Sequence, residues 1–170
     1  FVIIMDKPHA KIEINEKFAC IQFWKDGKYH FLKDDNHNSK IPCLISFAGP
    51  IPLIGQDALD EGKKWILPFR ITDILDINWL DNKSTSTPLI RYENDFIILV
   101  KTFCGYRPTT PAHLFAEFVT SLIKMLEEET KSNVNFLELR VTSDGKFLKS
   151  SETFIDEAVK LIKPKVKLSF

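Results

Sequence analysis

An alternation of helix and strand patterns in the second half of the sequence is the feature that most constrains the fold. Apolar residues recur at three- and four-residue intervals from Pro111 to about Glu129, and Thr110 is placed to cap this helix. The patterns after it predict a strand, a helix and a strand over 135–141, 150–163 and 166–170. The second helix is expected to bury an apolar stripe of Phe154, Ile155, Ala158, Leu161 and Ile162. A β-α-β succession can place parallel strands in one sheet, so the sequence predicts a mixed α/β domain.

The first half of the sequence predicts short strands joined by turns, over 10–14, 19–24, 28–32, 42–47, 89–92 and 96–103. Asp26-Gly27 is typical of a two-residue hairpin turn, and the stretch 105–108 is interpreted as a turn after the last of these strands. The apolar stretch 65–79 contains Pro68, which excludes one long helix through it. The composition of 81–88 is typical of a loop.

Glycine is scarce, with six in 170 residues and no two of them closer than six positions. The usual frequency is about 7%. The G-x-G-x-x-G and Walker A motifs need closely spaced glycines, because these let backbone amides approach phosphate. Both motifs are therefore excluded.

Charge and cysteine content limit the classes of partner. The 23 basic and 23 acidic residues cancel, which speaks against electrostatic capture of nucleic acid or of an anionic membrane. The apolar run at residues 1–5 is too short for a membrane span. Cys20, Cys43 and Cys104 form no C-x-x-C pair, so no zinc site is predicted, and each is expected to be a small buried residue. An odd cysteine count without a disulfide framework fits a reducing compartment, so we expect a cytoplasmic or nuclear protein.

Several local strings occur in an order that is found in a known family. Residues 11–28 match that family's opening strand pair, with Cys20 and the Asp26-Gly27 turn in register, and Leu53-Ile54-Gly55 matches its LIG string. The helix, strand and helix over 111–162 follow in the same order. In these strings the chain resembles the first lobe of the nucleotide-binding domain of the seventy-kilodalton heat-shock chaperones. The resemblance implies the actin-like, ribonuclease-H-like ATPase fold: one lobe over 1–170, with a mixed β-sheet, flanking helices and a subdomain insertion at about 43–134.

The family's first phosphate loop reads Asp-Leu-Gly-Thr-Thr, and the matching residues here are Glu13, Ile14, Asn15, Glu16 and Lys17. Asn15 replaces the glycine that lets the backbone approach phosphate. Glu16 brings a carboxylate to the place of the phosphate oxygens, and one such contact at ~4 Å costs about 4 kcal/mol at an effective dielectric of ~20. Lys17 offsets part of this repulsion, and Glu13 keeps an acidic side chain at a different length. His37 also stands where the family has glycine.

The family's catalytic lysine aligns with Ile71, and the neighbouring Arg70 is the candidate to replace it. Without a lysine there, positioning of the attacking water and stabilisation of γ-phosphate charge are lost. The family's Val-Pro-Ala-Tyr-Phe segment is replaced by the longer 141–147. We therefore predict a pseudo-ATPase, with no catalytic residues, no cofactor site and no metal site.

The function expected from this resemblance is that of a catalytically inactive, chaperone-ATPase-like interaction or scaffold module. It would dock a protein partner or a second copy of itself, and would bind neither nucleic acid nor membrane. One alternative is an ATP-binding fragment of a longer chaperone-like protein that needs a second lobe. Another is a co-chaperone that mimics the lobe of true chaperones.

Other features of the sequence carry weaker interpretations. Cys104 and His113 are the pair that a Cys/His nucleophile would have to use, but no oxyanion donors are evident. Aromatic residues make up 12% of the chain, and some of them are expected on a surface that recruits a partner. The acidic run Glu127, Glu128 and Glu129 is interpreted as the solvated end of the first helix.

Overall fold

The computed structural model describes residues 7–83, 88–93, 95–143 and 151–169, and these residues form both strands and helices. The strands are β1 (Ala10–Ile14), β2 (Phe18–Lys25), β3 (Lys28–Phe31), β4 (Ile41–Pro42), β5 (Ile45–Ser46), β6 (Leu53–Ile54), β7 (Leu89–Tyr92), β8 (Asp95–Thr102), β9 (Gly105–Thr109), β10 (Phe136–Val141) and β11 (Lys165–Ser169). The α-helices are α1 (Gly55–Asp60), α2 (Ile77–Lys83), α3 (Pro111–Thr130) and α4 (Glu152–Val159). The predicted mixed α/β class, with a mixed sheet and flanking helices, is confirmed.

The central sheet has the strand order β11-β10-β1-β2-β3, and β4 pairs with the start of β2. β10 runs parallel to β1 and to β11, whereas β2 is antiparallel to both β1 and β3. Side chains alternate between the two faces, as the period of two in a strand requires. On β1, Ala10, Ile12 and Ile14 are buried, while Lys11 is half-buried and Glu13 is exposed. One face of the sheet therefore belongs to the core and the other carries the polar side chains.

α3 is the main helix of the core, and it packs against α4 and β2. Its start matches the sequence prediction, because Thr110 Oγ1 accepts a hydrogen bond from His113 N at 3.2 Å and Pro111 stands in the first turn. Phe115 and Phe118 are fully buried on it. Burial of an apolar side chain of this kind stabilises the fold by about 1.5–3 kcal/mol.

Two smaller sheets lie between β4 and α3 in the chain, β5-β6 and β7-β8-β9. The interpretation of 105–108 as a turn is wrong, because these residues belong to β9. The turn is the preceding pair, Phe103 and Cys104, between the paired residues Thr102 and Gly105. Gly105 has a φ of 94°, and Thr102 Oγ1 donates to Gly105 O at 2.6 Å across this turn. Pro108 is tolerated in β9 because β9 stands at the edge of its three-stranded sheet, where a residue without an amide can face away from the partner strand. The subdomain insertion over 43–134 stays a prediction.

The region between β6 and β7 divides into short helical segments. Two 3₁₀ helices, Lys63–Trp65 and Asp73–Leu75, precede α2. α1 begins at Gly55, whose φ is 64° and whose Cβ, were one present, would lie 2.9 Å from Ile41 Cγ2. The packing of α1 against β4 therefore requires glycine at this position. The core of the predicted 81–88 loop, 84–87, lies outside the described residues.

α4 is shorter than predicted. It ends at Val159 rather than at Lys163, and Leu161, which was expected in the buried stripe, is 48% exposed. Leu161 N and Ile162 N bond three residues back, to Ala158 O and Val159 O, and this tighter turn rotates Leu161 off the apolar face. The stripe itself is confirmed for Ile155, Ala158 and Ile162, which are buried.

Candidate functional site

The loop between β1 and β2 (15–17, here the β1–β2 loop) is held closed by the side chain of Asn15. Asn15 Oδ1 accepts hydrogen bonds from Lys17 N and Phe18 N, both at 2.8 Å. Asn15 N in turn donates to Phe18 O at 3.0 Å. An Asn side chain in this position replaces the backbone contacts of a turn. Two amides that an anion could otherwise recruit at this loop are therefore already paired within the chain.

Cys43, just after β4, holds the same loop from the other side. Its backbone N donates to Lys17 O at 3.0 Å, and its Sγ–H donates to Asn15 O at 3.4 Å. Burial raises the pKa of the Cys43 thiol to about 12, which keeps the S–H proton available as a donor. The sequence prediction of a buried cysteine is confirmed here.

A first concavity of about 410 Å³ lies on the polar face of the central sheet. We call this the open sheet face; its lining side chains include Lys11, Glu13, Cys20, Gln22, Phe31, Glu138 and Arg140. Lys11 Nζ lies 3.7 Å from Glu138 Oε2, and it also lies 4.2 Å from the centre of the Tyr29 ring. Glu13 is opposite Arg140 in the parallel register of β1 and β10. Positive and negative charges therefore alternate across this face, and no single sign dominates it.

A second concavity of about 570 Å³ brings the β1–β2 loop to the segment before the second 3₁₀ helix. Glu16 and Lys17 line it together with Arg70 and Asp73. Arg70 Nη2 pairs with Asp73 Oδ1 at 3.1 Å, and Arg70 N donates to Asp73 Oδ2 at 3.1 Å. Two acidic and two basic side chains meet here, so the site has no net positive charge to attract an anion.

The residues singled out from the sequence are therefore divided between these two concavities. Glu13 and Asn15 line the one on the open sheet face, and Glu16, Lys17 and Arg70 line the other. Ile71 lines neither of them, because its side chain is 1% exposed and packs in the core. His37 has a φ of 64°, the left-handed conformation that glycine adopts at least cost. Residues 144–147 of the Val141-to-Phe147 segment lie outside the described residues.

Cys104 does not follow the prediction of burial. It is exposed, because it lies in the tight turn between β8 and β9, and Cys20 is half-buried. His113 Nδ1 is 2.9 Å from Thr110 Oγ1, so this imidazole is part of the cap of α3. Within the described ranges, no three His, Cys, Asp or Glu side chains are placed to share a metal ion. Nor is any helix there long and apolar enough to cross a bilayer.

A third concavity, also of about 570 Å³, was not predicted from the sequence. It lies between the loop after β3, helix α1 and the second half of α3, and we call it the acidic groove because six carboxylates line it: Asp34, Asp35, Asp57, Asp60, Glu128 and Glu129. The acidic run at the end of α3 was the sequence signal that could have revealed it.

That acidic run has two different roles in the structure. Glu127 is half-buried, and its Oε2 accepts a hydrogen bond from Val134 N at 3.0 Å, so the interpretation as a solvated end is wrong for this residue. This hydrogen bond of Glu127 holds the chain after α3 against the helix. Glu128 and Glu129 are exposed, as the interpretation requires, and they border the acidic groove.

Comparison with known proteins finds no match to a protein-family model and none to a curated protein. The class that the structure defines is thus a mixed α/β domain with a closed β1–β2 loop and an acidic groove. The resemblance to the chaperone lobe stays a prediction.

Proposed function

We propose that this chain is a catalytically inactive, chaperone-ATPase-like domain that acts as a protein-interaction module. Its fold would be the actin-like, ribonuclease-H-like lobe. Support comes from the central sheet, in which an antiparallel run of β1, β2 and β3 is continued by the parallel strands β10 and β11. The last of these is reached through the crossover helix α4. This arrangement is compatible with a ribonuclease-H-like sheet.

The proposal that the domain is catalytically inactive rests on the closed β1–β2 loop. Phosphate binding at such a loop depends on backbone amides that point at the ligand. Here the amides of Lys17 and Phe18 donate to Asn15 Oδ1. A phosphate would have to displace that oxygen to reach these two amides. Arg70 cannot easily compensate, because it is already paired with Asp73.

The interaction part of the proposal is supported by exposed aromatic side chains. Phe31 is 51% exposed at the edge of the open sheet face, and Trp24 is exposed next to it. Trp24 packs edge-on against Tyr29 with ring centres 5.0 Å apart. Clustered aromatic surface of this kind is typical of sites that recruit a protein partner.

Isothermal titration calorimetry with Mg-ATP and Mg-ADP tests the proposal that the domain is catalytically inactive. We expect no saturable heat, and no shift of the unfolding temperature at millimolar nucleotide. A ligand at about 100 times its Kd would stabilise the native state by about 2.7 kcal/mol, so binding is easy to detect. Saturable binding with a micromolar Kd would overturn the proposal and favour the ATP-binding fragment.

The interaction part is tested by affinity capture from the native source with mass spectrometry, comparing the natural chain with the Phe31→Ser variant. Phe31 is an exposed edge residue, so the variant should fold, which a circular dichroism melt verifies. We expect a defined set of proteins that the natural chain retains and the variant loses. If both capture the same proteins, the open sheet face is not the interaction surface.

A further inference from the structure

The acidic groove combines an apolar floor with a charged rim. Ile41, Pro42, Leu53 and Met125 line it, and Ile51 at its border is 65% exposed. Apolar area that is exposed beside a concave site is removed from water when an apolar side chain of a partner covers it. The floor therefore offers anchoring positions for an apolar side chain from outside.

The rim is strongly negative, although the chain as a whole is neutral. The six carboxylates of the groove are accompanied by the two cations Lys33 and Lys124. Asp34 is already hydrogen-bonded within its own loop, because its Oδ1 accepts hydrogen bonds from Asn36 N and Asn38 N, both at 2.9 Å. Asp60 Oδ1 accepts from Gln56 Nε2 at 2.9 Å.

The side chains of the other four rim carboxylates make no hydrogen bond or ion pair within the described part of the chain. These residues are Asp35, Asp57, Glu128 and Glu129. They come from three separate elements, the loop after β3, helix α1 and helix α3. Because the charges are spread around the rim rather than gathered at one point, they suit several cations spaced along a chain.

The position of Glu128 and Glu129 adds an independent argument. The last turn of a helix carries the negative end of the helix dipole, so carboxylates there repel it. Glu127 offsets this cost through its bond to Val134 N, but its two neighbours have no internal compensation of this kind. Cations brought by a partner would relieve the repulsion and gain from the dipole as well.

We infer that the acidic groove docks a basic amphipathic segment of a protein partner, with an apolar side chain on the floor and Lys or Arg side chains at the rim. The inference rests on the proposed function for the claim that the domain docks proteins, and it names the chemistry of the partner. Charge complementarity selects this occupant over an acidic or purely apolar one.

Fluorescence anisotropy with a synthetic probe tests the inference. The probe is a short labelled peptide of Leu and Lys patterned as an amphipathic helix. Two matched probes replace every Lys by Glu or every Leu by Ser. We expect the Leu/Lys probe to bind the natural chain, and each matched probe to bind at least about tenfold more weakly, because one loses the charges and the other loses the anchors.

The decisive variant is Asp57→Asn with Glu128→Gln and Glu129→Gln. Since all three residues are exposed and their side chains make no hydrogen bond or ion pair within the described residues, the fold should be unchanged, as a circular dichroism melt verifies. We expect it to weaken binding of the Leu/Lys probe about tenfold at about 0.05 M salt, with a smaller loss at about 0.5 M, where surface charges are screened. A second variant, Ile51→Ser, should weaken binding through the anchor and equally at both salt concentrations.

The matched control removes three exposed carboxylates from α4 instead, in Glu152→Gln with Asp156→Asn and Glu157→Gln. It changes the net charge by the same amount, and we expect an affinity within about twofold of the natural chain. If the groove variant and this control weaken binding equally, attraction is non-specific and the inference is wrong.

Two further outcomes also count against the inference. If the natural chain does not bind the Leu/Lys probe, the groove does not take a basic segment. If sedimentation shows that the natural chain self-associates and the groove variant does not, the occupant is a second copy of the chain. Either result leaves the calorimetric test of nucleotide binding and the Phe31→Ser comparison unaffected, so failure here is distinguishable from failure of the proposed function.

Discussion

Removal of the Asn15 side chain is the most direct test of the closed β1–β2 loop. Asn15→Ala deletes the oxygen that accepts from Lys17 N and Phe18 N at 2.8 Å. A typical intramolecular hydrogen bond contributes about 0.5–1.5 kcal/mol to stability. Lys17 is exposed, so water replaces part of the loss at that amide, whereas the bond to Phe18 N is partly buried. We therefore expect a loss of about 1–2 kcal/mol.

The matched control is Asn15→Asp, which keeps an acceptor oxygen at the same position. We expect it to stay within about 0.5 kcal/mol of the natural chain, since a carboxylate accepts from backbone amides at least as well as an amide oxygen does. The comparison separates loss of the acceptor from a general effect of changing the side chain.

The measurement is urea unfolding followed by tryptophan fluorescence, with calorimetric unfolding temperatures as a second readout. For a chain of this length, 1 kcal/mol corresponds to about 2–4 °C, so Asn15→Ala should unfold about 2–8 °C lower. The account of the loop is wrong if Asn15→Ala matches the natural chain, or if Asn15→Asp is as unstable as Asn15→Ala.

Four other predictions follow from single side chains. Thr72 Oγ1 is buried and has no hydrogen-bond partner among the described residues, so Thr72→Val should raise the free energy of unfolding in urea by about 1 kcal/mol. Glu127→Ala leaves a backbone amide unpaired and should cost about 1–2 kcal/mol in the same assay, whereas Glu128→Ala should not destabilise. Iodoacetamide at pH 8 should label exposed Cys104 in the native protein and Cys43 only after unfolding, as mass spectrometry of the peptides will show. Because the pKa of the Cys43 thiol is raised from 9.0 to about 12 on folding, its contribution to stability is complete below pH 9 and is lost as pH rises towards 12. A Cys43→Ala variant should lack this part of the alkaline loss.

Helices with a complete local signal were predicted well. The cap, the first-turn proline and the apolar period of α3 are all local, and the structure has the helix at Pro111–Thr130. The end of α4 was not predicted, because Leu161 fits the apolar period and only the tighter final turn removes it from the core. β9 was missed because Gly105 and Pro108 are turn-forming residues by composition, and pairing with β8 overrides that preference.

The candidate site, like the fold, was predicted only in part from the sequence. Glu16 and Arg70 were singled out separately, on a resemblance that no comparison supports, and only the tertiary structure places them in one concavity. The role of Asn15 was predicted as loss of a glycine, whereas the structure adds a positive contact, the acceptor at Lys17 N and Phe18 N. That contact depends on side-chain orientation, which residue type alone does not determine.

By itself the sequence determined the elements that have a complete local signal, such as β1 and α3, because periodicity, capping and turn chemistry act between residues close in the chain. It also determined which phosphate-binding motifs are excluded, since those require glycines at short spacing. The tertiary structure alone decided the strand order and the acidic groove. The groove gathers Asp35, Asp57 and Glu128 from elements far apart in the chain, so a charge balance that is neutral over the sequence becomes strongly negative at one place on the surface.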